Sequence, residues 1–117
     1  MKFSVDKQEG VVIYELLEEK LTSVNAPTLK SELVLANTEG FKNIVVDLSK
    51  VKFVDSSGLS ALLTGHRLCK EEKGIFALCG INDMVKSLIK ISQLEDVLHV
   101  YSTQTDAVDA INNKKKK

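Results

Sequence analysis

Asn43-Ile44-Val45-Val46-Asp47-Leu48-Ser49-Lys50-Val51-Lys52-Phe53-Val54-Asp55-Ser56-Ser57-Gly58-Leu59-Ser60-Ala61-Leu62-Leu63 contains a strand, a short loop and the start of a helix. Ile44, Val45 and Val46 are consecutive and β-branched, which suits a strand covered on both faces rather than one alternating between core and water. Asp55, Ser56, Ser57 and Gly58 then place carboxylate and hydroxyl acceptors where a new helix has backbone N–H groups without partners. Leu59, Leu62, Leu63, His66 and Cys69 recur at three- and four-residue steps, so this central helix, running to Gly74, should bury a stripe that begins one turn after the serines. A serine at that position has two readings. It can cap the helix, and position favours Ser56 for that role. It can also seat a phosphate, because free N–H groups and the helix dipole stabilise added negative charge.

The rest of the chain extends this pattern on both sides. Phe3 to Lys7 and Val11 to Leu17 flank Gln8-Glu9-Gly10, a turn signal, and predict an opening hairpin. Leu21 to Asn25 reads as a loop, with Asn25 able to cap a helix that carries Pro27 in its first turn and Leu29, Leu33 and Ala36 on its buried face. After the central helix, Ile75 to Cys79 reads as a second continuous apolar strand stopped by Gly80. Asn82 can cap a third helix with Met84, Val85, Leu88, Ile89 and Ile91 on its apolar face. A short strand at Leu98 to Tyr101 follows, and Ser102 or Thr103 opens a last helix carrying Val108 and Ile111. The fold class is therefore α/β: a single domain with a mixed, mostly parallel sheet, an N-terminal antiparallel hairpin and about four helices. Loops at the carboxyl ends of the strands carry function in such sheets, and the segment from Ser49 to Ser57 is one of them.

With 117 residues, 44% hydrophobic and 27% charged, the chain suits one ordinary globular domain. Residues 1–113 form that domain, and Lys114 to Lys117 are expected as a disordered lysine tail without a function. The formal net charge of zero hides an imbalance: without the four terminal lysines, 12 basic residues face 16 acidic ones, a net of −4. That balance argues against direct contact with nucleic acid. No apolar run approaches the roughly twenty residues of a membrane span, and the N-terminus lacks the apolar core of a signal peptide, so no membrane association and a cytoplasmic location are expected. Cys69 and Cys79 match neither a metal set nor a redox pair and read as small buried hydrophobes. His66 reads as a packed or boundary histidine, and neither it nor His99 has an acidic or cysteine neighbour at ligand spacing. No metal site, cofactor or catalytic residue is expected: there is no Gly-x-Ser-x-Gly elbow and no phosphate-binding glycine loop.

Asp47-Leu48-Ser49, Val51 and Phe53-Val54-Asp55-Ser56-Ser57-Gly58-Leu59 resemble the signature of STAS domains, in particular bacterial anti-sigma factor antagonists, and the order of elements agrees over about residues 3 to 112. The resemblance implies a phosphorylation-gated binding module. Its phosphoacceptor would be Ser57, and its partner surface would include Asp55, Ser56, Ser57, Gly58, Leu59 and Thr22. The implied partners are an anti-sigma factor with serine kinase activity, sequestered while Ser57 is unphosphorylated, and a PP2C-type phosphatase that resets the serine. Through them the module would regulate sigma-dependent transcription. An alternative within the family is a non-phosphorylated docking subunit of a transporter ATPase or a stress-sensing assembly. The chain departs from the family at Glu19-Lys20-Leu21-Thr22, where an aspartate near the phosphorylated serine is common. Here that position is Thr22, which keeps a hydroxyl and loses a negative charge.

Overall fold

The structure, a computed structural model, describes residues 1–8 and 10–115. Its sheet is built around the β-branched run. Strand β4 (Asn43–Asp47) is buried at every residue. It lies third in a five-stranded sheet of order β1-β2-β4-β6-β7, completed by β1 (Phe3–Gln8), β2 (Val11–Leu16), β6 (Phe76–Cys79) and β7 (His99–Tyr101). The opening hairpin pairs β1 antiparallel to β2, and every other pairing is parallel, with Tyr14 beside Val46 and Val46 beside Leu78. Glu9 of the expected turn lies outside the described residues, and Gly10 beside it has φ +75°.

Helices cover both faces, which is why β4 has no polar side to show. Helices α1 (Ala26–Thr38), α2 (Ser56–Glu71) and α3 (Asp83–Ile91) pack on Val12, Tyr14, Ile44, Val46, Phe76 and Leu78. Helix α4 (Gln104–Lys115) puts Ala107 and Ile111 on Val11, Ile13, Val45, Ala77 and Cys79. The expected lysine tail thus begins within the end of α4 and from residue 116 lies outside the described residues. Asn43 is one of two buried polar residues among those described: its amide donates to the Gly10 carbonyl at 3.2 Å and accepts from the Ile75 N–H at 2.8 Å, closing the amino-terminal end of the sheet.

Several local expectations are corrected. Leu21, expected to begin a loop, instead ends β3 (Lys20–Leu21), which pairs in parallel with β5 (Phe53–Val54), itself inside the expected 49–57 loop, in a separate two-stranded sheet. Two-residue strands carry no period to read, and long-range hydrogen bonds create them, here from Lys52 N–H to the Glu19 carbonyl at 2.7 Å and from Asp55 N–H to the Leu21 carbonyl at 3.2 Å. The α2 stripe also differs: Gly58, Leu59, Ala61, Leu62, Gly65 and Cys69 are buried, whereas Leu63 and His66 are half-buried. Small residues let the helix sit close to the sheet, and a reading that weighs side-chain hydrophobicity passes over them. On α3, Val85 and Ile89 are buried and Asn82 caps as expected, but Met84 and Ile91 are exposed because so short a helix buries one narrow line. Thr103, one of the two candidates, opens α4 by accepting from the Asp106 N–H at 3.1 Å.

Helix α2 lies close against the sheet at Gly65, where an added Cβ would come within 2.3 Å of the Phe76 ring. Phe76 is fully buried and cannot swing away. Gly65→Ala is therefore expected to lower stability by about 1–3 kcal/mol in urea unfolding, although alanine is the better helix former. Adding Phe76→Leu should recover part of that loss.

Candidate functional site

The loop leaving β4 is fastened before it reaches α2. The Asp47 carboxylate, 7% exposed, accepts the Ser49 N–H at 2.9 Å and the Gln104 side-chain amide at 2.6 Å, which ties the end of β4 to α4. Leu48 and Val51 are buried, so the loop is pinned by apolar contacts as well. It then enters β5, whose pairing with β3 holds residues 20–21 and 53–54 side by side and sets the first turns of α1 and α2 against each other.

Asp55 is the helix cap. Its backbone is extended, with φ −96° and ψ −176°; Oδ1 accepts the Gly58 N–H at 2.9 Å and Oδ2 accepts the Ser23 N–H at 3.2 Å. The expectation that Ser56 caps α2 is thereby corrected. A carboxylate one residue earlier already fills the role, and both serines fall inside the helix. Among the described residues neither the Ser56 nor the Ser57 hydroxyl has a hydrogen-bond partner. Ser56 is exposed and Ser57 half-buried. Together with Ser60 they line one side of a shallow hollow of about 330 Å³, whose other side is Ser23, Ala26, Pro27 and Lys30.

The six residues expected at a partner surface divide by burial. Asp55, Ser56, Ser57 and Thr22 reach the surface, whereas Gly58 and Leu59 are buried and serve to place their neighbours. A Cβ at Gly58 would meet the Leu21 carbonyl oxygen at 2.4 Å, so only glycine lets the first turn of α2 lie on β3. Thr22 does not line the hollow; its hydroxyl accepts the Val24 N–H at 3.3 Å, and its neighbour Ser23 is the residue bonded to Asp55. Asn25, expected as a cap, instead accepts from Thr22 N–H and donates to the Lys20 carbonyl, both at 2.8 Å, so it shapes the turn ahead of α1. Sequence reading missed Ser23, Lys30 and Ser60. Their spacing, 23/26/27/30 and 56/57/60, matches a single face of each helix start. It also missed two apolar side chains near these helix starts, Val24 at 88% exposure and Phe53 at 41%.

His66 lies nine residues from Ser57 on α2, about 13.5 Å along the axis, too far to take its hydroxyl proton. Burial holds its pKa below the usual histidine value, with Lys70 and His99 adding to the effect. No group of three His, Cys, Asp or Glu residues among those described could hold a metal ion. No helix of the described residues is long and apolar enough to cross a membrane. Burial pushes both thiols up to about 12, with the Asp47 carboxylate contributing at Cys79.

Comparison with known proteins agrees with this architecture. The STAS domain profile matches residues 2–107. A Bordetella bronchiseptica protein provisionally named as the anti-sigma factor antagonist BtrV is 27% identical over 94% of both chains. The anti-sigma-B factor antagonist of Staphylococcus aureus is 30% identical over 69% of this chain and 75% of its own. The phosphorylated form of the Bacillus cell fate determinant SpoIIAA superposes with a TM-score of 0.74 over 94% of this chain and 99% of its own; at 19% identity that likeness is one of fold.

Two outcomes test the local account. Asp55→Ala removes both acceptors and should cost about 1–2 kcal/mol in urea unfolding, while Asp55→Asn, which keeps an oxygen for the cap, should cost less. At pH 8 a thiol titrating near 12 has roughly a thousandfold less thiolate than a free cysteine. Alkylation of Cys69 and Cys79 should accordingly be slow in the folded protein and fast in urea.

Proposed function

This chain belongs to the STAS domain family, and from that premise we propose that it is an anti-sigma factor antagonist gated by phosphorylation of Ser57. The observation that carries the reading is the division of labour at the start of α2: Asp55 takes the cap, so the Ser57 hydroxyl is left without a structural task. The names of the relatives, and the existence of a phosphorylated form of SpoIIAA, support the same role. The unphosphorylated surface of Ser56, Ser57, Asp55 and the apolar Val24 and Phe53 docks on an anti-sigma factor and so frees its sigma factor.

Ser57 is a substrate in this scheme. In the complex its Oγ attacks the γ-phosphorus of ATP held by the partner, the bond to ADP breaks, and the hydroxyl proton passes to a base of the partner. The product carries about −1.5 to −2 charges where a neutral hydroxyl stood. The domain keeps its fold because the cap and the core do not involve Ser57. A fitted partner meets added bulk and charge and leaves. A PP2C-type phosphatase, by hydrolysing the ester, restores the docking surface. With Thr22 in place of an acid, the surface offers the kinase one negative charge fewer than the family pattern, so its recognition leans more on the apolar pair.

Binding to the host's anti-sigma factor, measured by calorimetry, tests this. Ser57→Ala should bind as the unmodified protein does, and Ser57→Asp should bind at least about tenfold more weakly, a loss of about 1.4 kcal/mol. Val24→Asp should weaken binding with Ser57 intact. Equal affinities for Ser57→Ala and Ser57→Asp would contradict the gate and favour a docking subunit that is never phosphorylated.

A further inference from the structure

Lys30 lines the hollow and forms no ion pair with the described residues. It projects from α1, is half-buried, and lines the depression with Ser23, Ser56, Ser57 and Ser60. The described ion pairs use Lys7, Lys50 and Lys52, with Glu39, Glu15 and Glu19; Lys30 has none among the described residues. Among the described residues no carboxylate lines the hollow, and the neighbouring Asp55 carboxylate is bonded to the Gly58 and Ser23 N–H groups rather than to Lys30. A half-buried lysine that shares a hollow with four serines and has no ion-pair partner among the described residues marks a place suited to an anion.

We propose that Lys30 is the built-in counter-ion of a phosphate carried by Ser57, so that the hollow between the first turns of α1 and α2 is the seat of the phosphoryl group. This rests on Ser57 being the phosphoacceptor and adds how the modification is held and read. Before phosphorylation the hollow offers a partner one positive charge and four hydroxyls. Afterwards Lys30 is neutralised, the remaining charge is negative, and the hollow is filled. One event thus removes an attractive group from the docking surface and adds a repulsive one. The phosphate oxygens can also accept from Ser23 and Ser60, which keeps the group inside the domain's own surface.

The test is a phosphorus NMR titration of the full chain with phosphoserine inserted at position 57 during translation. A cation beside the phosphate favours its dianion, so the second pKa should lie below the usual value of about 6. In Lys30→Gln it should rise by about half a unit to one unit, and in Lys30→Arg it should stay low. The same pKa in all three proteins would overturn the proposal. The result does not depend on any kinase, so it is separable from the role of Ser57 itself. Host protein lacking phosphate at Ser57 would contradict the gate without touching this titration. A phosphorylated Ser57 whose pKa ignores Lys30 would contradict the counter-ion and leave the gate standing.

Discussion

Asp55 holds two parts of the chain with one carboxylate. Through Oδ1 it ends the unsatisfied N–H series of α2 at Gly58, and through Oδ2 it fixes the Ser23 N–H in the turn that precedes α1. Both bonds need the β3–β5 pairing, which brings residues 20–21 beside 53–54, and that pairing in turn needs a glycine at 58, where any Cβ would strike the Leu21 carbonyl. The three features form one unit. Because the carboxylate satisfies the helix, the hydroxyls of Ser56 and Ser57 are left without hydrogen-bond partners among the described residues, Ser56 exposed and Ser57 half-buried.

A rigid sheet backs this unit. The loop that carries it leaves β4, the strand buried at all five positions, and Asp47 at its end is bonded to α4 across the sheet. Burial of Leu48, Val51 and Val54 on the way to Asp55 leaves the loop little freedom. The site is therefore preformed on one side by the core and on the other by the α1–α2 packing. A modification that adds charge at Ser57 changes the surface while the packed interior is untouched, which is what a binding switch on a small domain requires.

Much of this was legible in the sequence, and the reasons are physical. Ile44-Val45-Val46 announces a doubly covered strand because three adjacent β-branched residues leave no face for water. Asn82 caps α3 and Thr103 opens α4, as expected, because such caps act over three residues and local spacing reveals them. Asn25 and Ser56 do not cap as their positions suggest, for the opposite reason. Whether a polar residue caps a helix depends on competitors, and Asn25 is claimed by Lys20 and Thr22 while Ser56 is displaced by Asp55. The β3–β5 pair and the Lys30 hollow join residues some thirty positions apart, and no local pattern encodes such meetings. Gly65 and Ala61 give no hydrophobic signal because their contribution to α2 packing is their small size.

The central claim is that Ser57 accepts a phosphate. Its most direct measurement is peptide mass analysis of the protein after incubation with host lysate and ATP, repeated with phosphatase treatment and with Ser57→Ala. The account predicts one phosphatase-sensitive phosphate on Ser57, with none gained by Ser57→Ala. A chain that stays unmodified, or a phosphate that survives Ser57→Ala by residing on Ser56, would contradict it.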